Sequence, residues 1–403
     1  MPACQREARL AEDPTTWRPE TRLVRGGLDR SQHGETAEAL YLTQGYIYES
    51  AEAAEARFKG EAPGFIYSRY ANPTNRMFEQ RLALLEGAEA CRTTASGMAA
   101  VTMALMGLVK AGDHVVASRA LFGSCRWILA NWLPRFGVDC TLVDGRDEAA
   151  WTAAMRDTTR AVFLESPANP LLEMADIAAV SKTAHAAGAK VVIDNVFATP
   201  IFQQPLKLGA DVVVYSATKH IDGQGRVLGG AFLGQAELLD ESYRDPMRHT
   251  GPAMSAFNAW LLLKGLETLE LRVRKEAETA LRLCALFESH NKAKGFLYPF
   301  HPSHPQHALA KRQMSGGGTV VALDLGSKAA AFNFLNALEI VDISNNLGDT
   351  KSLATHPSTT THRSLSDEER LALGLTEGFI RLSVGLEAAE DLERDLGRAL
   401  DAA

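Results

Sequence analysis

At 403 residues, 46% of them hydrophobic and 23% charged, the chain is long enough for two or three folded units with sizeable cores, which excludes a small stapled scaffold and a disordered chain. The 42 Lys and Arg against 49 Asp and Glu leave a net charge of −7 with no basic run, so nucleic acid is not an expected partner. The longest mostly apolar stretch, Met98 to Val109, falls short of the roughly 20 residues that cross a bilayer, and the first twenty residues hold no apolar signal core, so no membrane partner is expected and the cytoplasm is the expected compartment.

Residues 1–64 read as an N-terminal arm. The stretch is polar and turn-rich through RGGLDRSQHGET and EAPG, and is expected to be irregular or partly helical and to pack on another subunit. Over 65–257, short β-branched runs alternate with helical periodicity, which predicts an α/β fold with a mostly parallel sheet covered by helices. The expected strands are His114 to Ala117, Asp139 to Val143, Arg160 to Leu164, Lys190 to Asp194, Asp211 to Tyr215 and Gly230 to Leu233. The expected helices include Met98 to Lys110, Cys125 to Phe136 and Ile177 to Ala187, the last stopped by Gly188. Residues 258–403 form a smaller C-terminal α/β unit, entered through one long amphipathic helix, Asn258 to Ser289. It continues with a strand at Thr319 to Leu323, a helix at Lys328 to Ala337, a strand at Gly378 to Ser383 and a closing helix at Ala388 to Leu400.

Five cysteines, Cys4, Cys91, Cys125, Cys140 and Cys284, form no C-x-x-C pair and read as free thiols. His301, His304 and His307 have helical spacing, but Pro302 and Pro305 interrupt any helix there and no carboxylate or cysteine completes a set, so no metal is expected.

Chemistry concentrates where two apolar runs end in polar residues, VVIDN at Val191 to Asn195 and VVVYSATKH at Val212 to His220. Ligands of open α/β sheets bind outside the carboxyl ends of the strands, so Asp194 and Lys219 belong at one rim. A lysine amine that condenses with an aldehyde, a carboxylate that keeps a pyridine nitrogen protonated and hydroxyls that hold a phosphate are what pyridoxal 5′-phosphate requires, and Lys219, Asp194, Ser216 and Thr218 fit those roles. Ser96-Gly97-Met98, ahead of an apolar helix, offers small residues at a helix N-terminus for a phosphate. Taken alone, the same residues make an ordinary N-cap.

Together with these motifs, YSRYANPT (Tyr67 to Thr74), ASGMAA (Ala95 to Ala100), ESPANP (Glu165 to Pro170) and IRLSVGLE (Ile380 to Glu387) run in the order found in the Cys/Met-metabolism family of pyridoxal-phosphate enzymes, which the chain resembles from about residue 60 to residue 390. The resemblance implies a fold-type I pyridoxal-phosphate transferase. It implies Lys219 as the Schiff-base lysine, Asp194 as the pyridine partner and Asn169 as a hydrogen-bond donor to the ring hydroxyl, with Ser96, Gly97, Met98, Ser216 and Thr218 around the phosphate. Tyr67 and Arg69 would reach the phosphate site of a neighbouring subunit, which implies a homodimer with shared active sites, assembled as a homotetramer. Arg381, helped by Asn346, would bind the substrate α-carboxylate as a bidentate fork.

Two departures from the common family pattern stand out. Phe122-Gly123-Ser124-Cys125 occupies the place of Tyr-Gly-Gly-Thr, so Phe122 stacks on the cofactor ring but moves no proton, a task left to Tyr67 or Lys219. Asp194-Asn195-Val196 replaces Asp-Asn-Thr. With Gly-Gln-Gly-Arg at Gly223 to Arg226, these residues resemble the branch of the family that exchanges the succinyl group of a homoserine ester for sulfide. A carboxylate leaving group needs less protonation than a thiolate, which agrees with losing the tyrosine hydroxyl. The expected reaction is therefore γ-replacement giving homocysteine and succinate; a cystathionine γ-synthase using cysteine, or a γ-lyase acting on methionine or cystathionine, is the alternative. Arg226 is the candidate for the distal carboxylate of the succinyl group, and Cys125 reads as packing.

Overall fold

The computed structural model describes residues 13–403, which leaves Cys4 and the start of the arm outside the described residues. Seven strands, β1 (Ala90–Thr94), β2 (His114–Ser118), β3 (Asp139–Val143), β4 (Thr159–Glu165), β5 (Lys190–Asp194), β6 (Val212–Tyr215) and β7 (Gly230–Gly234), form one sheet in the order β1-β7-β6-β5-β4-β2-β3. Only β7 runs antiparallel to its neighbours, β1 and β6. The strand interiors are apolar on both faces because helices cover both, and side chains alternate between two cores. Val191 and Ile193 join the cluster of Phe78 and Trp151, whereas Val192 between them joins that of Phe163 and Leu129.

All six expected strands are present to within one residue at either end. β1 is the strand that its sequence hides: Ala-Cys-Arg-Thr-Thr has little apolar content, and the strand exists because β7 presents a free edge and residues 90–94 pair along its whole length. The expected helix Cys125 to Phe136 is broken into an α-helical turn (Gly123–Trp127), a π-turn (Ile128–Trp132) and a 3-10 turn (Leu133–Phe136). Pro134 has no N–H to continue the ladder.

The long helix expected over Asn258 to Ser289 is two helices, Ala256–Leu266 and Leu269–Ser289. At the break, the buried Arg272 donates to the Gly265 carbonyl (3.0 Å) and to the His220 carbonyl (2.8 Å). The interruption thus sends a guanidinium inward to hold the turn that follows Lys219. His220 itself is no ligand candidate, since its Nε2 pairs with the Thr319 hydroxyl at 2.7 Å and burial pushes its pKa down to about 3.

The C-terminal part carries a second sheet of five strands, β8 (Gly295–Leu297), β9 (Val320–Asp324), β10 (Asp342–Ile343), β11 (Leu353–Thr355) and β12 (Phe379–Ser383), in the order β10-β11-β12-β9-β8. Helices Leu269–Ser289, Lys328–Ala337 and Ala389–Ala402 bury Phe287, Phe334 and Leu396 against Ile380 of β12. The loops leading into and out of β11 face the carboxyl ends of β4, β5 and β6 across one cavity. Among the described residues no helix is long and apolar enough to cross a membrane.

Candidate active site

A cavity of about 930 Å³ opens at the carboxyl rim of the large sheet, and Ser96, Gly97, Met98, Phe122, Asn169, Asp194, Ser216, Thr218, Lys219 and Arg381 all line it. Strand geometry explains the convergence. Glu165 and Asp194 end neighbouring parallel strands in direct register, and β6 beside them ends at Tyr215, one residue before Ser216.

Asp194 is part-buried where it lines the cavity; desolvation by its surroundings raises its carboxyl above the usual range, while the Val196 N–H (3.1 Å) and Lys219 favour the charge. Glu165 beside it is raised further, by burial and by the Asp194 charge. Two carboxyls with oxygens within 4.8 Å of one another disfavour a second negative charge, so the pair as a whole holds its protons to higher pH than either carboxyl would alone. Glu165 also organises backbone: its Oε1 accepts from Phe122 N–H at 2.7 Å and its Oε2 from Asn169 N–H at 3.3 Å. The motif ESPANP contains Glu165, yet its role is not legible there, because it comes from a register with Asp194 that only the sheet supplies.

Lys219 donates to Asn346 Oδ1 at 2.5 Å, and burial, with Arg381 nearby, pushes its pKa down to about 8. A substantial neutral fraction near physiological pH is what an amine nucleophile or base needs. Arg381 is 2% exposed and donates to Asn169 Oδ1 (3.1 Å) and to the carbonyls of Asn345 (2.8 Å) and Asn346 (3.1 Å), while its Nε has no partner. No carboxylate of the described residues pairs with it, although burial lowers its pKa only to about 10 and it stays charged. A buried guanidinium without a counter-charge is costly and marks a place for an anion.

At the opposite wall, Ser96 caps helix Gly97–Met106 by accepting from Ala99 N–H at 3.2 Å. A Cβ on Gly97 would lie 2.5 Å from Ser216 Cβ, so only glycine lets the helix N-terminus and the β6 end approach this closely. The Thr218 hydroxyl donates to the Gly229 carbonyl at 3.1 Å and accepts from the Gly229 N–H at 3.0 Å. Ser216 therefore keeps the freer hydroxyl on this wall.

Three expected site residues lie elsewhere. Tyr67 and Arg69 line a separate surface concavity of the same chain, and Arg69 lies 5.4 Å from the Tyr67 ring centroid. Arg226 does not reach the cavity: its backbone N–H and Nε reach the carboxylate of buried Asp222 at 2.6 and 2.9 Å, and its Nη2 the Asp222 carbonyl at 3.1 Å. The expectation of a distal-carboxylate contact from Arg226 is not met, because a carboxylate four residues earlier captures it. Cys125 is buried, and burial together with Glu165 and Asp194 holds its thiol far above the usual range. Among the described residues, Cys125, Glu165 and Asp194 are the only three ligating side chains with donor atoms within 4.8 Å of one another.

These residues fit pyridoxal 5′-phosphate: an amine with a lowered pKa and a part-buried carboxylate share one cavity with a glycine-only approach beside a helix N-terminus. A sequence model of the Cys/Met metabolism PLP-dependent enzymes matches residues 20–401. The chain belongs to this family. Its relatives include the O-succinylhomoserine sulfhydrylase of Mycobacterium tuberculosis, 57% identical over 382 residues and 94% of each chain. The O-succinylhomoserine sulfhydrylase of Pseudomonas aeruginosa is 48% identical over 95% of each chain. Among solved structures, an O-acetylhomoserine (thiol)-lyase of Campylobacter jejuni carrying a pyridoxyl-lysine monophosphate matches with a TM-score of 0.92 and 32% identity, covering 96% of this chain and all of that one. The fold is the mixed α/β, fold-type I architecture of pyridoxal-phosphate enzymes, and pyridoxal 5′-phosphate is the cofactor.

Proposed function

We propose that the protein catalyses γ-replacement on O-succinyl-L-homoserine, exchanging succinate for sulfide to give L-homocysteine, a step of methionine biosynthesis. The observation that carries this reading is the pairing, in one cavity, of a lysine whose pKa is pushed down to about 8 with a buried arginine that pairs with no carboxylate of the described residues. The identity of 57% and 48% to two O-succinylhomoserine sulfhydrylases supports the choice of ester and nucleophile.

Pyridoxal 5′-phosphate, when bound, supplies an electron sink for the pair left when the substrate Cα–H breaks. In this reading Lys219 holds the cofactor, then accepts the Cα proton on its Nζ. Asp194 keeps the ring nitrogen protonated, and Glu165 beside it holds the backbone of Phe122 and Asn169 in place. Ser216 and the N-terminus of helix Gly97–Met106 hold the phosphate, with Ser96, Met98 and Thr218 shaping the cradle. Asn169, whose Oδ1 is taken by Arg381, offers its Nδ2 to the ring hydroxyl, and Phe122 stacks on the ring. Arg381 grips the substrate α-carboxylate. Asn346 accepts a hydrogen bond from the Lys219 amine and through it sets where that amine rests.

The same reading makes the functional unit a homodimer, with Tyr67 and Arg69 completing the cavity of the partner subunit, assembled further as a homotetramer in the cytoplasm. Leu42, Ile47 and Phe58 are exposed at 71%, 96% and 66%, which suits an arm laid on another subunit.

The test is an assay of the holoenzyme on O-succinyl-L-homoserine with hydrosulfide or cysteine, repeated with the acetyl ester. Homocysteine from the succinyl ester and sulfide is the expected product. Cystathionine as main product moves the enzyme to the synthase reading, and 2-oxobutyrate with every nucleophile makes it a lyase.

A further inference from the structure

O-Succinyl-L-homoserine carries two carboxylates, and the reading above engages only the α-carboxylate. Three cationic side chains line the cavity: Lys219, Arg381 and Arg363. Lys219 and Arg381 have the tasks already described. The Arg363 guanidinium has no hydrogen bond or ion pair with any described residue, although Asp367, Glu368 and Glu369 follow it within six residues. Two of these carboxylates are spent on other arginines: Glu369 pairs with Arg126 and Asp367 with Arg370. Arg363 is thus the one cation of this wall left for a ligand among the described residues.

The backbone under Arg363 is held firmly. The loop after β11 turns back on itself, with the N–H groups of Thr360 (3.1 Å) and His362 (2.9 Å) both donating to the Pro357 carbonyl. The Thr360 hydroxyl donates to the His356 carbonyl at 2.8 Å. His362 is 1% exposed, and burial, with Arg381 nearby, pushes its pKa down to about 4, so it is a neutral plug and no anion site. Gly123 admits the Thr361 carbonyl, which would lie 2.9 Å from a Cβ there, so the loop rests directly on the turn that carries Phe122. With His362 anchored inward, the next residue, Arg363, emerges at the open side of the cavity while Arg381 stays on its buried side.

We infer that Arg363 binds the distal carboxylate of the substrate's acyl group and so makes a dicarboxylic ester the preferred substrate over an acetyl ester. The inference rests on the acylhomoserine reading above. It also follows that selectivity is attractive: an acetyl ester leaves Arg363 solvated at the rim and meets no penalty.

The test compares wild-type holoenzyme with Arg363→Met, which keeps an apolar stem of similar length, and with Arg363→Lys. For Arg363→Met, kcat/KM on O-succinyl-L-homoserine is expected to fall about tenfold or more, mainly through KM, while the value on the acetyl ester stays within about twofold. Arg363→Lys is expected to restore part of the loss, since a lysine keeps the charge but not the fork. In calorimetric titrations of the holoenzymes, succinate should bind about tenfold more weakly to Arg363→Met than to wild type, with acetate unaffected. An equal fall on both esters, or unchanged succinate binding, overturns the inference. A wild-type enzyme that prefers the acetyl ester overturns the succinyl reading instead, and the succinate titration still decides Arg363.

Discussion

The two walls of the cavity are built on different principles. The wall assigned to the cofactor consists of strand ends and one helix N-terminus: Asp194 closes β5, Ser216 to Lys219 follow β6, and Gly97 opens a helix packed on the same sheet. Its side chains are placed by a register that fully buried strands cannot slip. The wall assigned to the substrate is made of loops, Ser344 to Asn346 and Thr359 to Arg363, gathered around one strand residue, Arg381. The rigid wall suits a group that stays through every turnover, and the loop wall suits the part of a reaction that differs among relatives of one fold.

The largest effect that sharpens this contrast is expected from Arg381→Lys. Lysine cannot reproduce the contacts to Asn169, Asn345 and Asn346 and still grip a carboxylate with two donors. Charge-assisted bonds worth about 1.5–3 kcal/mol each correspond to a loss of roughly 10²-fold or more in kcat/KM, with cofactor affinity little changed. Steady-state kinetics beside a cofactor titration separate the two, and a parallel loss of cofactor would merge the walls into one unit.

A smaller effect, on the other wall, is expected from Gly97→Ala. The added Cβ meets Ser216 Cβ at 2.5 Å and Ser216 Cα at 2.8 Å, so the helix N-terminus must retreat from the phosphate cradle. Cofactor affinity should fall about tenfold, read by equilibrium dialysis, while KM at saturating cofactor holds. Unchanged affinity would remove the phosphate from this wall.

The smallest effect on activity concerns a chain of hydrogen bonds behind the site. Asn195 Nδ2 donates to Tyr215 Oη at 2.6 Å, and Tyr215 donates to Glu86 at 2.5 Å. Burial raises Glu86 from its usual 4.5 to about 8, so the folded state keeps a proton that the unfolded state releases. Its contribution to stability is full below pH 4.5 and declines as pH rises toward about 8. Glu86→Gln should flatten that decline by about 3–5 kcal/mol at pH 8, measured by denaturant titration, without changing activity at pH 6. A slope identical to wild type would mean that the carboxyl is solvated.

Legibility followed the same division between walls. Asp194, Lys219, Gly97 and Ser216 could be read because apolar runs ending in polar residues are local signals, and the strand-end rule converts them into one rim. β1 could not be read, since its polar residues become a strand only beside the open edge of β7. The break between Ala256–Leu266 and Leu269–Ser289 was hidden by continuous helical periodicity, because its cause is Arg272 reaching into a distant turn. Glu165 sat inside a recognisable motif without a role until register set it beside Asp194.

By itself the sequence determined the α/β class, the cofactor and the family, since all three rest on short segments whose order and periodicity survive without knowledge of contacts. Tertiary structure alone decided which cation faces the cavity. Arg226 and Arg363 are both arginines in polar loops, but Asp222 lies four residues from the first and takes it, whereas near the second Glu369 is already paired with Arg126 across the fold and Asp367 with Arg370 three residues on. That outcome depends on competition among charges, part of it from Arg126, which the fold brings to Glu369 from a distant part of the chain and which no local pattern records.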